Sequence, residues 1–274
     1  MPDLTVLLSP ADQKQPGGNP FAPDMFDYRT SGTFNYFDDL NPERRELIDM
    51  LQKTIEEKDE EALADLFGLK DYELEEAVRV NKELYDAPLM SALDRYSPGV
   101  MYAAMDFANL PTGAQRRLLE NGVVLSGLFG LLRPDDLIPN HQLGMEVTLP
   151  DIGPVADYWR PIISPVLNEG LEDRWVWDLL PEVHRKAWTD EHTYEARVEV
   201  RFERVEDGER VPITGEDLEV QRGQFVNVIV QETAEEMDDL REWAEEESDE
   251  LAFDEEASTY DEETKTWTVV MVQE

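Results

Sequence analysis

The chain predicts an α+β fold: a single compact domain in which a mixed β-sheet is flanked by helices. Short apolar runs closed by glycine and proline, such as Val123–Leu125 ahead of Gly127, have the length and punctuation of buried strands. Tyr194–Val205 alternates, with Ala196, Val198, Val200 and Phe202 on one face and Arg197, Glu199, Arg201 and Glu203 on the other. Strands and helices are intermixed without a regular βαβ period, which argues for one mixed sheet.

Taken in order, Leu4–Leu8 reads as the first strand. Pro42–Lys58 reads as a helix, because Asn41 supplies a polar cap and proline suits the first helical position. Helices Glu60–Phe67 and Asp71–Leu84 follow, separated by Gly68, a residue suited to the left-handed conformation that closes a helix. Helix Pro111–Asn121 leads into strand Val123–Ser126, and Gly127 and Gly130 allow a sharp turn before the apolar segment that ends at Arg133-Pro134-Asp135-Asp136. Two aspartates after a proline are a turn and a helix cap. A divalent cation held by Asp135, Asp136 and His141 is the alternative reading. Beyond these come strand Glu146–Leu149, helix Val155–Glu169, strand Trp175–Leu179, helix Pro181–Lys186 and the alternating strand Tyr194–Val205. Strand Phe225–Gln231, helix Ala234–Glu247 and strands Leu251–Phe253 and Thr266–Val272 complete the prediction. Gln13–Phe21 and Glu255–Glu263 read as loose segments.

Composition narrows the function. The 274 residues contain no cysteine, which excludes disulfides, thiolate metal sites and a cysteine nucleophile. The three histidines, His141, His184 and His192, stand in no metalloprotease spacing, and no nucleotide-binding glycine loop or nucleophile elbow is present. No cofactor is therefore expected. No run approaches the ~20 apolar residues of a membrane span, and no signal peptide is evident, so a cytoplasmic protein is expected, with no membrane partner and a monomer favoured. The net charge is −39, from 63 acidic and 24 basic residues, and only seven of the basic ones are lysine. Residues 190–274 alone carry 29 acidic side chains against 7 basic ones. An acidic interaction surface or a mimic of nucleic acid is one explanation. A halophile's hydrated surface is the preferred one: acid is spread over every predicted element, and molar salt shortens the Debye length to about 3 Å.

The string LSGLFGLLRPDDLIP, within Asn121–Met145, resembles the signature of the YaaA family, bacterial proteins linked to resistance to peroxide stress. Further matches fall in the right order: Leu7-Leu8-Ser9-Pro10 with Lys14; Arg79 and Asn81; Ala92-Leu93-Asp94-Arg95-Tyr96 with Val100-Met101-Tyr102; Tyr158-Trp159-Arg160-Pro161 with Pro165-Val166-Leu167; Leu179 to Trp188; and Arg222-Gly223. The resemblance implies one compact fold and a protein that limits oxidative damage, through DNA binding and a lowering of free intracellular iron. The partner it implies is double-stranded DNA.

Departures matter as much. Where many members carry Tyr-Arg-Leu-Glu-Met-Gly, this chain has His141-Gln142-Leu143-Gly144-Met145-Glu146, without the motif's arginine and glutamate. Pro98-Gly99-Val100-Met101-Tyr102 stands for Lys-Gly-Asp-Val-Tyr, and Glu219 and Val220 replace the usual lysines near Arg222.

The residues between helices Glu60–Phe67 and Asp71–Leu84 resemble a helix–hairpin–helix, a DNA module whose backbone N–H groups meet a phosphate. Gly68, Leu69 and Lys70 would form the hairpin, although Lys70 replaces its second glycine and acidic residues line the next helix. An ordinary helical hairpin packed on the sheet is the plainer reading. Lys14, Arg79, Arg95, Arg133, Arg160, Lys186 and Arg222 lie in or beside motif matches of a chain poor in basic residues. Lys14, Arg133, Arg160, Lys186 and Arg222 are therefore expected around one anion-binding cleft. An uncharacterised enzyme acting there on a small phosphorylated or nucleotide ligand is the alternative, as is an acidic protein-binding module.

Overall fold

Leu4–Leu8 (β1), apolar but for Thr5 and buried throughout, lies in the interior of a nine-stranded sheet. The structure is a computed structural model that describes residues 4–22, 35–232, 237–246 and 251–273. After β1 come helices α1 (Asn41–Glu57), α2 (Glu60–Phe67) and α3 (Asp71–Lys82), then β2 (Met90–Ser91), α4 (Ala92–Tyr96), α5 (Val100–Met105) and α6 (Thr112–Asn121). Strands β3 (Gly122–Ser126), β4 (Gly130–Leu132), β5 (Leu137–Ile138), β6 (Thr148–Leu149) and β7 (Gly153–Pro154) lead to α7 (Val155–Gly170). The rest is β8 (Trp175–Asp178), α8 (Glu182–Arg185), β9 (Ala196–Glu206), β10 (Glu209–Pro212), α9 (Gly215–Glu232), α10 (Met237–Glu246), β11 (Leu251–Phe253), β12 (Thr259–Asp261) and β13 (Thr266–Gln273).

The sheet order is β11-β13-β9-β8-β1-β3-β4. Its five inner strands are parallel; Leu7 of β1 stands beside Val123 of β3 on one side and Asp178 of β8 on the other. β4 and β11 close the edges antiparallel, and β10 and β12 are hairpin additions to β9 and β13. The sheet is mixed and carries helices, as predicted. From β1 the chain crosses to β3; from β8 it crosses the other way, to β9. At such a reversal the loops leaving the carboxyl ends of neighbouring strands diverge and leave a crevice between them.

One apolar core runs through the sheet and its helices. Phe225 of α9 packs edge-on against Trp177 of β8 and Phe202 of β9, at ring separations of 5.5 and 5.6 Å. Trp159 of α7 is fully buried and its indole N–H donates to the Gly127 carbonyl at 2.8 Å.

Several boundaries needed correction. Phe225–Gln231 is not a strand but the second half of α9: Phe225, Val226, Ile229 and Val230 form a buried helical stripe. Glu146–Leu149 contracts to the two residues of β6, and Pro181–Lys186 to the single turn α8. Asn41 lies inside the first turn of α1, where its side chain accepts from Arg44 at 3.0 Å instead of capping the helix. Of helix Ala234–Glu247, residues 237–246 form α10, while 234–236 and 247 lie outside the described residues. The segment Glu255–Glu263, expected to be loose, contains β12.

Candidate functional site

The crevice holds a pocket of about 60 Å³, lined by Ala11, Asp12 and Lys14 after β1, Gln142 to Val147, and His184 of α8. Lys14 is its centre. Its amine donates to Gln142 Oε1 at 2.9 Å and to the Asp12 carbonyl at 3.3 Å. Burial lowers the Lys14 pKa to about 8, and the Arg95 guanidinium pushes the same way, against the Asp12 and Glu146 carboxylates.

Gln142 is itself held. The Asn81 amide of α3, fully buried, donates to the Gln142 carbonyl at 2.6 Å and accepts from its N–H at 2.9 Å. The second helix of the hairpin is thus pinned to the residue that holds Lys14. Next to it, Gly144 and Glu146 trade roles. A Cβ at residue 144 would lie 2.1 Å from Glu146 Oε1, so the Glu146 carboxylate fills the space of a side chain at 144. The carboxylate that the sequence suggested was lost from the motif reaches the same place from two residues further on.

His141 is buried. Its Nδ1 meets the Pro139 carbonyl at 3.1 Å and so carries the proton; its Nε2 accepts from the Tyr96 hydroxyl at 3.3 Å. Burial first, then Lys14, holds its pKa well below the ordinary value. His184 differs: its Nδ1 is buried without a hydrogen-bond partner among the described residues. Burial lowers its pKa to about 4, with Asp12 opposing and Arg222 assisting. Both rings are neutral at pH 7.

The hairpin abuts this pocket, because Phe67, the last residue of α2, lines it. Gly68 turns the chain at φ 65°, ψ 21°, with open space where a Cβ would point. Leu69 packs on the core, whereas Lys70 is exposed and caps α3 without a side-chain hydrogen bond. The missing second glycine is accommodated, since Lys70 is extended at φ −139° and the other left-handed residue falls at Asp71.

The five basic residues do not share one cleft. Lys14 lines the pocket, and Arg222, paired with Glu219 at 2.6 Å, is close enough to act on His184. Arg160 and Lys186 meet each other and do not line the pocket: the Arg160 Nε donates to the Lys186 carbonyl at 2.5 Å, and their charges pair with Asp157 and Glu182. Arg133 lies at the opposite, amino-terminal end of the strands. There it donates to the Leu119 carbonyl, stacks 4.3 Å over Tyr36 and lines a second cavity of about 190 Å³ with Thr5, Val123 and Arg174. Of the other motif arginines, Arg79 forks onto Glu76 and Arg95 donates to the backbone carbonyls of Gln15, Pro88 and Ile138. The cation alternative is not assembled either, because Asp136 accepts from the N–H groups of Tyr36 and Arg133 while His141 turns to Tyr96.

Sequence motifs singled out Lys14 but not Asn81 as its support, nor His184 as a pocket residue. The reversal of strand order at β1 and β8 would have located the crevice; it becomes visible only with the pairing. Fold and site together define an α+β protein with a lysine-bearing pocket at the carboxyl ends of parallel strands and a helical hairpin against it.

A sequence model of the family described as Peroxide stress protein YaaA matches residues 4–257, and the chain belongs to that family. Among curated relatives, a UPF0246 protein of Streptomyces coelicolor is 36% identical over 139 residues, 51% of this chain and 53% of its own length. An uncharacterized protein of Campylobacter jejuni is 26% identical over 188 residues, covering 68% and 71% of the two chains. A UPF0246 protein of Corynebacterium glutamicum is 34% identical over 122 residues, 38% of this chain and 46% of its own. The chain thus matches about half the length of two of these three. No helix among the described residues is long and apolar enough to cross a membrane.

Proposed function

We propose that this protein serves peroxide-stress protection by engaging the backbone of double-stranded DNA through the hairpin Gly68–Lys70, and so helps limit damage from iron-driven radical chemistry. The supporting observation is the hairpin itself. Two helices meet at a left-handed glycine, the turn is anchored by Leu69, and the open side at Gly68 is free of side chains. Backbone N–H groups at such a turn, ahead of a 12-residue helix, are donors for a phosphate oxygen.

Charge opposes the contact. Each neutralised phosphate contributes a log–log salt slope of about −0.9, while a body at −39 is repelled by the duplex until salt screens it. Binding is then weak, with a shallow or non-monotonic dependence on salt. Fluorescence anisotropy of a labelled duplex from about 0.1 to 2 M KCl tests this. Lys70→Glu weakens binding in part and removes about one contact from the slope. Arg133→Glu, at the far end of the sheet, leaves it unchanged. No binding at any salt removes the proposal. The iron arm is read separately, as chelatable iron in peroxide-treated cells with and without the protein.

A further inference from the structure

We propose that the pocket at the carboxyl ends of β1 and β8 is a carbonyl site, in which the Lys14 amine adds to an aldehyde and forms an imine. This goes beyond the hairpin and does not depend on DNA binding.

The hydrogen bonding of Lys14 supports it. A neutral amine has two N–H hydrogens and one lone pair. Gln142 Oε1 and the Asp12 carbonyl are two acceptors, one for each hydrogen, which leaves the lone pair for the pocket. Gln142 is fixed in turn by Asn81, so the amine is positioned by a buried amide clamp. A lysine desolvated in this way is the nucleophile that carbonyl chemistry uses. Burial brings its pKa to about 8, so roughly one amine in ten is unprotonated at pH 7 and about half at pH 8.

The surroundings select the electrophile. Asp12 and Glu146 flank the amine and disfavour a phosphate or carboxylate, whereas a neutral carbonyl carries no such penalty. A cavity of about 60 Å³ has room for the head of an aldehyde. The buried His184 Nδ1 on the same wall, unpartnered among the described residues, is a site for a hydroxyl or for water.

The chemistry balances without a co-reactant. The nitrogen lone pair forms the C–N bond, and the carbonyl π electrons pass to oxygen, which is protonated to give a carbinolamine. The C–O bond then breaks, both amine hydrogens leave with the oxygen as water, and the C=N bond remains. The aldehyde is either a small free molecule or the opened sugar of an abasic site in DNA.

Reductive trapping with cyanoborohydride distinguishes the sources. One arm uses glycolaldehyde; the other uses a duplex with an aldehydic abasic site, with the tetrahydrofuran analogue, which has no aldehyde, as its control. Peptide mapping is expected to find Lys14 modified at pH 8 at least about tenfold faster than exposed Lys70, in one arm or both. Modification of Lys14 should fall away below pH 8, and Lys14→Arg should abolish that adduct alone. Asn81→Asp, which removes the donor to the Gln142 carbonyl and sets a carboxylate oxygen against it, should slow trapping at Lys14 with little change at Lys70; if the variant proves unfolded, the wild-type comparison of Lys14 with Lys70 decides alone. Labelling of Lys14 no faster than Lys70 in both arms overturns the proposal. A glycolaldehyde adduct at Lys14 with no duplex adduct sustains it even if DNA binding fails.

Discussion

Arg44 shows how far a single side chain's role can lie from its appearance in the sequence. An arginine on a helix is ordinarily a solvent-facing charge. In the structure it is fully buried, donating to the carbonyls of Phe129 and Leu131 at 2.9 and 2.6 Å and to Asn35 and Asn41, so it fastens the LFGLL turn. Arg44→Met strands both carbonyls and should cost about 3 kcal/mol, read as a fall in melting temperature on the order of 10 °C. His184 gives a pH signature. Its folded pKa of about 4 lies below the ordinary 6.5, so between those values the unfolded chain binds more protons. Stability should therefore decline as pH falls from about 7 to 4, and His184→Gln should flatten that decline in thermal melts at stepped pH. Motif position singled out Lys14, but it equally singled out Arg133, which the fold sends to the other end of the sheet. The exchange between Gly144 and Glu146 read as a lost charge because a linear comparison cannot see one side chain reach back into another's space.

Elements were legible where local physics was one-sided. β1, α2 and β11 were predicted to their ends, and the alternation of β9 made it plain. α9 was not legible, because the β-branched run Val226, Val228, Ile229, Val230 favours a strand and tertiary packing overrides it. Its cause is visible at Gly223, where a Cβ would stand 2.1 Å from the Met101 carbonyl of α5. Two opposed effects meet in Gly223→Ala. Alanine is the better helix former by about 1 kcal/mol, but overpacking against rigid backbone costs about 1–3 kcal/mol. The clash, deep below ordinary contact, wins, and a net loss of stability is expected in urea unfolding. At the hairpin the same logic runs on conformation alone, since Gly68 meets nothing and its left-handed φ is all that alanine would disturb.

For the whole molecule the dominant quantity is charge. The 24 basic residues can offset fewer than half of the 63 carboxylates, and the ion pairs are mostly at the surface, where each contributes about 0–1 kcal/mol. Self-repulsion therefore falls as salt rises, and the melting temperature should climb markedly between about 0.1 and 2 M KCl. A flat profile would assign the acidity to a basic partner instead. The central place of β1 bears on how the chain comes into being. Its five residues are translated over a hundred residues before the first of the strands that flank it, Gly122–Ser126 and Trp175–Asp178. Until then a nascent chain carries an almost wholly apolar ribbon with both edges open, the kind of segment holding chaperones bind. One side of the sheet can close once β3 and β4 emerge, but the other waits for β8, β9 and β13, and these distant pairings should make refolding slow for the size of the protein.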